Sequence, residues 1–133
     1  MSVLPDTSAW VRYLRLGRSG DAAGLEQLLQ RREVVTCGPV VAELLVGTRD
    51  RDRPELAMLL DAVPWSELGR AEWRRVGQIG GMLRARGAAV TLTDIEIAVA
   101  AESANAALWT FDSDFQRLAT VMPGLRLFRE PAP

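Results

Sequence analysis

Hydrophobic positions along the chain follow two spacings, one typical of short strands and one typical of helices. Val34, Val35 and Thr36 form a β-branched run that is too short for a helix and therefore predicts a strand. Other short apolar runs recur between longer amphipathic segments. The predicted strands cover residues 2–4, 34–36, the vicinity of 65, 107–110 and 125–128.

The segments between these strands carry apolar residues three and four positions apart, which is the spacing of one helix face. In one of them Leu25, Leu28 and Leu29 share a face, and Gly38 with Pro39 opens the next. Helices are predicted from residue 7 onwards, over 22–31, 40–47, 53–63 and 70–86, from 93 onwards and over 113–119.

Strands that alternate with helices predict right-handed crossovers and a mostly parallel sheet covered on both sides. We therefore expect an α/β fold of three layers, with a central sheet of about five strands flanked by helices. The chain has 133 residues, which is enough for one sizeable core, and no linker or repeat divides it. A single domain over 1–133 is predicted.

Carboxylates stand at the edge of this sheet where binding sites of parallel sheets form, outside the carboxyl ends of the strands. Asp6 and Asp112 each follow a predicted strand, and Glu43 and Asp94 belong to helices that begin at that edge. These acids are far apart in sequence, yet the topology predicts that they converge.

Simpler interpretations exist for each acid. In these interpretations Asp6 is only a helix cap, Asp94 a first-turn acid and Glu43 a solvated helix residue. Asp112 and Asp114 are then turn or cap residues. Thr93 and Glu96 match a capping box, which places Asp94 in the first turn and assigns Glu96 to the cap rather than to the site. The evidence for a site is therefore the joint placement of the acids.

Composition narrows the chemistry further. The chain has 16 basic residues, all of them Arg, against 17 acidic ones, and it contains neither Lys nor His. Imidazole bases, Schiff-base amines and the Walker lysine are thereby excluded. The lysine required by receiver-like or haloacid-dehalogenase-like phosphoryl transfer is missing as well. What remains is carboxylate chemistry with a metal ion.

Clustered carboxylates disfavour one another's ionisation unless a cation neutralises them. A donor set made of oxygen only, with no His or Cys, selects Mg²⁺ or Mn²⁺ over Zn²⁺. Such ions activate water and neutralise the charge that develops on a phosphoryl group during in-line displacement. The single cysteine, Cys37, favours a reducing cytoplasm and a packing role. No membrane span or signal peptide is expected.

Taken together, a strand leading into Asp6-Thr7-Ser8, the Glu43 helix, Thr93-Asp94 before an Ala-rich helix, and the run 110–115 (TFDSDF) resemble the PIN domain, specifically the short VapC-type toxins of bacteria. The resemblance covers essentially the whole chain. One departure is Pro5, where relatives usually have an aliphatic strand residue; it removes an amide donor but leaves Asp6 in place.

The resemblance implies a Mg²⁺- or Mn²⁺-dependent endoribonuclease of a type II toxin–antitoxin pair that hydrolyses RNA. It implies a cytoplasmic homodimer inhibited by a cognate VapB-type antitoxin, for which Trp10 is the candidate anchor. The alternative is a catalytically silent PIN-like binding module that acts through its partner. The resemblance implies that the metal-binding catalytic acids are Asp6, Glu43, Asp94 and Asp112. Asp114 is then an outer or alternate ligand, and the hydroxyls of Ser8 and Thr110 support the acids.

Overall fold

The computed structural model describes residues 1–130, so the end of the predicted 1–133 domain lies outside the described part. Helices and short extended segments alternate along it, as the hydrophobic spacing predicts. The elements are β1 (Val3–Pro5), α1 (Thr7–Leu16), α2 (Leu25–Gln30), α3 (Gly38–Val46), α4 (Arg53–Asp61), α5 (Arg70–Ala85), α6 (Leu92–Ser103), β2 (Ala107–Trp109) and α7 (Asp114–Val121).

The centre of the sheet is the parallel pair of β1 and β2, in which Pro5 lies opposite Trp109. The amide of Asp6 donates to the carbonyl of Trp109 at 2.8 Å, so the ladder continues past the proline. Parallel bridges extend the sheet on both sides, joining Val3 to Val34, Thr36 to Trp65 and Leu108 to Leu127.

The α/β fold with helices around a parallel sheet is therefore confirmed. Its five extended segments lie in the order 65, 34–36, β1, β2 and 127. Within residues 1–130, the segments other than β1 and β2 pair only through single bridges, so they are shorter than the predicted strands. A hydrophobic run in the sequence indicates that a segment is buried on both faces. How many of its residues pair as a strand depends on the length of the segment beside it in the sheet.

The start of α6 differs from the prediction. Thr91 is the N-cap, with extended backbone (φ −69°, ψ 150°), and its hydroxyl accepts a hydrogen bond from the amide of Asp94 at 3.2 Å. Thr93 lies inside the helix, so the predicted capping box of Thr93 and Glu96 is wrong. Both threonines stand three residues before an acid, and only the backbone distinguishes them. Asp94 lies in the first turn, as predicted.

The buried hydrophobic residues form one contiguous cluster between the sheet and the helices. Its centre is α6, where 97–101 are all buried and which packs on α3, α5, α7 and β2. Trp10 is completely buried in this cluster, so the expectation that it anchors a partner from the surface is wrong. None of the helices within residues 1–130 combines the length and the apolarity needed to cross a membrane.

Candidate metal centre

Asp6 occupies the junction between β1 and α1 and caps the helix. Its Oδ1 accepts hydrogen bonds from the Ala9 amide at 3.0 Å and from the Ser8 hydroxyl at 2.6 Å, and its Oδ2 accepts one from the Thr110 hydroxyl. The side chain is only 3% exposed. Burial raises the pKa of Asp6, and the three hydrogen bonds oppose that rise. The carboxylate is thus held in one position by donors from two elements.

The same hydroxyls fix the loop that follows β2. Ser8 Oγ accepts a hydrogen bond from the Phe111 amide at 3.0 Å, and Thr110 Oγ1 accepts one from the Asp112 amide at 2.9 Å. Asp112 Oδ1 in turn accepts from the Asp114 amide at 2.9 Å. Because each contact ties the loop to α1 or to its own next turn, Asp112 is held beside Asp6.

A cluster of acids forms where this loop meets the first turn of α6. Asp94, Asp112 and Asp114 each offer a carboxylate oxygen, and these atoms all lie within 4.8 Å of one another. The pKa of Asp94 is raised to about 6, chiefly by burial and also by the negative charges of Asp112, Asp114 and Glu43, against the opposing hydrogen bond from Thr91. Asp114, which the resemblance makes an outer ligand, belongs to this close group.

Glu43 approaches from the exposed face of α3. Its Oε1 accepts a hydrogen bond from the Thr7 hydroxyl at 2.6 Å. Glu43 is not a member of the group within 4.8 Å, but its negative charge acts on the pKa of Asp94. Glu43 therefore lies beside the cluster, and α1 orients its carboxylate.

Asp6, Glu43, Asp94 and Asp112 line one cleft of about 700 Å³. One wall of the cleft is a single face of α1, since the lining residues of that helix are three and four positions apart. The four acids predicted to converge do so here. The lining comprises Asp6, Thr7, Ser8, Val11, Arg12, Arg15, Leu16, Glu43, Asp94, Ile97 and Asp112.

The charge of the cluster fits a hard cation. Among residues 1–130, the ion pairs include none for Asp94 or Asp112, and Asp114 has only Arg117 at 4.0 Å. Arg12 lines the cleft but pairs with Asp21. Carboxylate oxygens without a protein counter-ion are the donor set that Mg²⁺ and Mn²⁺ prefer.

The family follows from the sequence match. A profile described as "PIN: PIN domain" matches residues 3–121, which include every acid of the cleft. The chain belongs to the PIN domain family. The resemblance to PIN domains predicted from the sequence motifs is thereby confirmed. No curated protein matches the chain significantly.

Solved structures share the fold of this PIN domain. A chain of DNA-bound VapBC from Salmonella typhimurium has a TM-score of 0.73 and 20% identity over 96% of this chain and 97% of that one. A chain of VapBC2 from Rickettsia felis, bound to a promoter DNA fragment, has a TM-score of 0.72 and 22% identity over 98% of this chain and 100% of that one. A chain of VapBC-5 from Mycobacterium tuberculosis has a TM-score of 0.65 and 21% identity over 98% of this chain and 100% of that one.

Sequence reasoning missed part of this PIN-domain site. Thr7, Arg12 and Arg15 line the cleft and are not among the predicted site residues, and the Thr7 hydroxyl donates a hydrogen bond to Glu43. Their spacing from Ser8 along α1 is a helix-face signal that was available in the sequence. Glu96, set aside as a cap, has a pKa raised by burial and then by the charge of Glu43. Glu96 therefore lies within the electrostatic reach of the cleft.

Proposed function

We propose that this PIN domain is a Mg²⁺- or Mn²⁺-dependent endoribonuclease, the toxin of a type II toxin–antitoxin pair. The observation that carries the proposal is the group of Asp94, Asp112 and Asp114, whose oxygens lie within 4.8 Å of one another. Two of these acids, Asp94 and Asp112, line one cleft together with Asp6 and Glu43. Convergent carboxylates without a lysine or histidine support metal-assisted hydrolysis over covalent or imidazole chemistry.

Asp6, Glu43, Asp94 and Asp112 would hold the cation, with Asp114 as an outer or alternate ligand. When bound, such a cation supplies an activated water and neutralises charge on the phosphoryl group. The unpaired charge of Asp94 and the hydroxyl-held Asp6 support this division of roles.

The protein's own contribution is orientation and attraction. Ser8 and Thr110 keep the Asp6 carboxylate in one orientation, and Thr7 does the same for Glu43. Arg12 and Arg15 stand on the wall of the cleft, where guanidinium groups attract the phosphates of an RNA strand. The net charge of −1 makes this a local attraction rather than a bulk one.

The decisive experiment measures RNA cleavage by the purified protein with Mg²⁺ or Mn²⁺ and maps the new RNA ends by sequencing. We expect cleavage at defined sites that chelation stops and Asp94→Asn abolishes. Asp61→Asn is the matched control, since Asp61 is an exposed acid at the end of α4, away from the cleft. Metal binding without cleavage of any RNA would replace the proposal with the silent binding module.

A VapB-type antitoxin is the proposed partner, supported by the structural likeness to VapBC proteins. A basic side chain of such a partner would neutralise the acid cleft much as a cation does. Coexpression with the small protein encoded next to the gene should yield a complex with suppressed nuclease activity. If the coexpressed protein is recovered without the small protein and with undiminished nuclease activity, the partnership is contradicted. A cytoplasmic homodimer completes the proposal.

A further inference from the structure

A second cavity, of about 360 Å³, adjoins the acid cleft and shares Asp112 with it. We call this cavity the aromatic pocket. Its wall contains Trp109, Phe111 and Phe128, and Gln116 adds a polar group. The volume lies near the lower end of the range for small-molecule sites, which suits one planar group rather than a folded segment.

The aromatic rings of the pocket form one packed unit. Trp109 is buried, and its ring centroid lies 5.0 Å from that of Phe128 and 6.3 Å from that of Phe111. Phe111 and Phe128 are only half-buried, so each leaves part of its ring accessible. The Phe111 amide donates a hydrogen bond to Ser8 Oγ, so the backbone that carries this ring is tied to α1. A packed group of three aromatic rings therefore lies beside the acids.

Arg12 connects the two cavities. Its guanidinium carbon lies 4.1 Å from the centroid of the Phe111 ring, and it pairs with Asp21. Arg12 lines the acid cleft, whereas Asp21 and Phe111 line the aromatic pocket. A cation at this boundary is in the position of a phosphate contact between a nucleotide in the pocket and its neighbour in the cleft.

We propose that the aromatic pocket binds one unpaired nucleobase of the RNA, next to the phosphodiester that is cut. This inference rests on the proposed ribonuclease function and adds to it a base-binding subsite beside the acids. Proteins recognise unpaired bases by stacking them on aromatic rings, which a base inside a duplex does not allow. Phe128 and the face of Phe111 that Arg12 does not cover supply the rings, and Gln116 supplies hydrogen-bonding groups for a base edge.

The test is a cycle of RNA and protein changes. A short unstructured RNA spanning the mapped cut site carries one abasic nucleotide, moved in turn through the positions that flank the cut bond. Its affinity for the Asp94→Asn protein, which does not cleave, is measured by fluorescence anisotropy. We expect one flanking position at which the missing base weakens binding by about five- to hundredfold, the range for loss of one stacked base.

That loss should largely vanish in Asp94→Asn proteins that also carry Phe111→Leu or Phe128→Leu, and it should persist with Phe111→Tyr. The matched control is Trp73→Leu, since Trp73 is 50% exposed on α5 and lines neither cavity. Having two leucine variants protects the test against one that fails to fold.

Two outcomes would overturn the inference. If wild-type protein cleaves RNA but the abasic penalty is flat along the strand, or is unchanged in both leucine variants, the nucleobase site is refuted and the ribonuclease proposal stands. If wild-type protein cleaves no RNA, so that no cut site can be mapped, both proposals fail together.

Discussion

The two ends of the acid cleft treat their carboxylates in opposite ways. At the β1 end, Asp6 is buried and accepts hydrogen bonds from two hydroxyls and one amide. At the α6 end, Asp94 and Asp112 lie close to a third acid, and the ion pairs of residues 1–130 give them no cation. One end satisfies its acid from within the fold, and the other concentrates negative charge.

The two ends therefore have opposite effects on the free energy of folding. The Asp6 carboxylate contributes to folding, since it caps α1 and joins that helix to the loop after β2. The cluster around Asp94 opposes folding in the metal-free protein, because like charges are held together. Strain of this kind is expected where a fold keeps a site ready for a ligand.

The sharpest way to test this contrast is to neutralise the α6 end. Asp94→Asn should lower RNA cleavage by at least about a hundredfold at matched Mg²⁺, since a neutral amide is a weaker ligand for a hard cation. The same change should leave the metal-free protein as stable as wild type or more stable. Fluorogenic RNA cleavage and thermal melting measure the two effects. A loss of activity that comes with unfolding would mean that Asp94 belongs to the folding end.

Added metal should stabilise the protein by the next largest amount. A cation that binds the native cluster and not the unfolded chain adds about 3 kcal/mol at one hundred times its Kd. We expect the melting temperature to rise with millimolar Mn²⁺ and to rise less in Glu43→Gln, with Asp61→Asn as the control. A melting curve that ignores Mn²⁺ in the wild type would remove the basis for the comparison.

Removing the acid at the β1 end should, unlike Asp94→Asn, lower the stability of the metal-free protein. Asp6→Ala deletes the N-cap of α1 and leaves the hydroxyls of Ser8 and Thr110 without their acceptor, so a loss of about 1–2 kcal/mol is expected. Urea unfolding in the presence of a chelator measures it, which separates the fold from the metal. Equal stabilities for Asp6→Ala and Asp94→Ala would show that the two ends do not differ.

A smaller effect concerns pH. The pKa of Asp94 in the folded protein is about 6, above the ordinary aspartate value of 3.8. The folded state therefore binds the proton more tightly, and stability from this group is present at low pH and lost as pH rises through about 6. Metal-free protein should be more stable at pH 5 than at pH 7 by a margin that Asp94→Asn reduces. Melting curves across this range, with an unchanged margin in the variant, would count against the shift.

The sequence predicts some residues of the site correctly and others wrongly. The acids Asp6, Glu43, Asp94 and Asp112 could be found from the sequence, because each follows a strand or starts near a helix N-terminus and the topology of parallel sheets brings such positions together. Trp10 and the Thr93 cap were predicted wrongly. In both cases a local pattern fits two arrangements, and packing against distant residues selects one.

The amino-acid sequence by itself determined the α/β topology and the carboxylate chemistry, because hydrophobic spacing and the missing Lys and His are properties of the chain alone. Only the tertiary structure decided which acids form the close group, which hydroxyl holds which carboxylate, and that Arg12 lies between the acid cleft and the aromatic pocket. Those contacts join residues as far apart as Asp6 and Thr110. Their distances depend on how helices pack on the sheet, which local spacing does not encode.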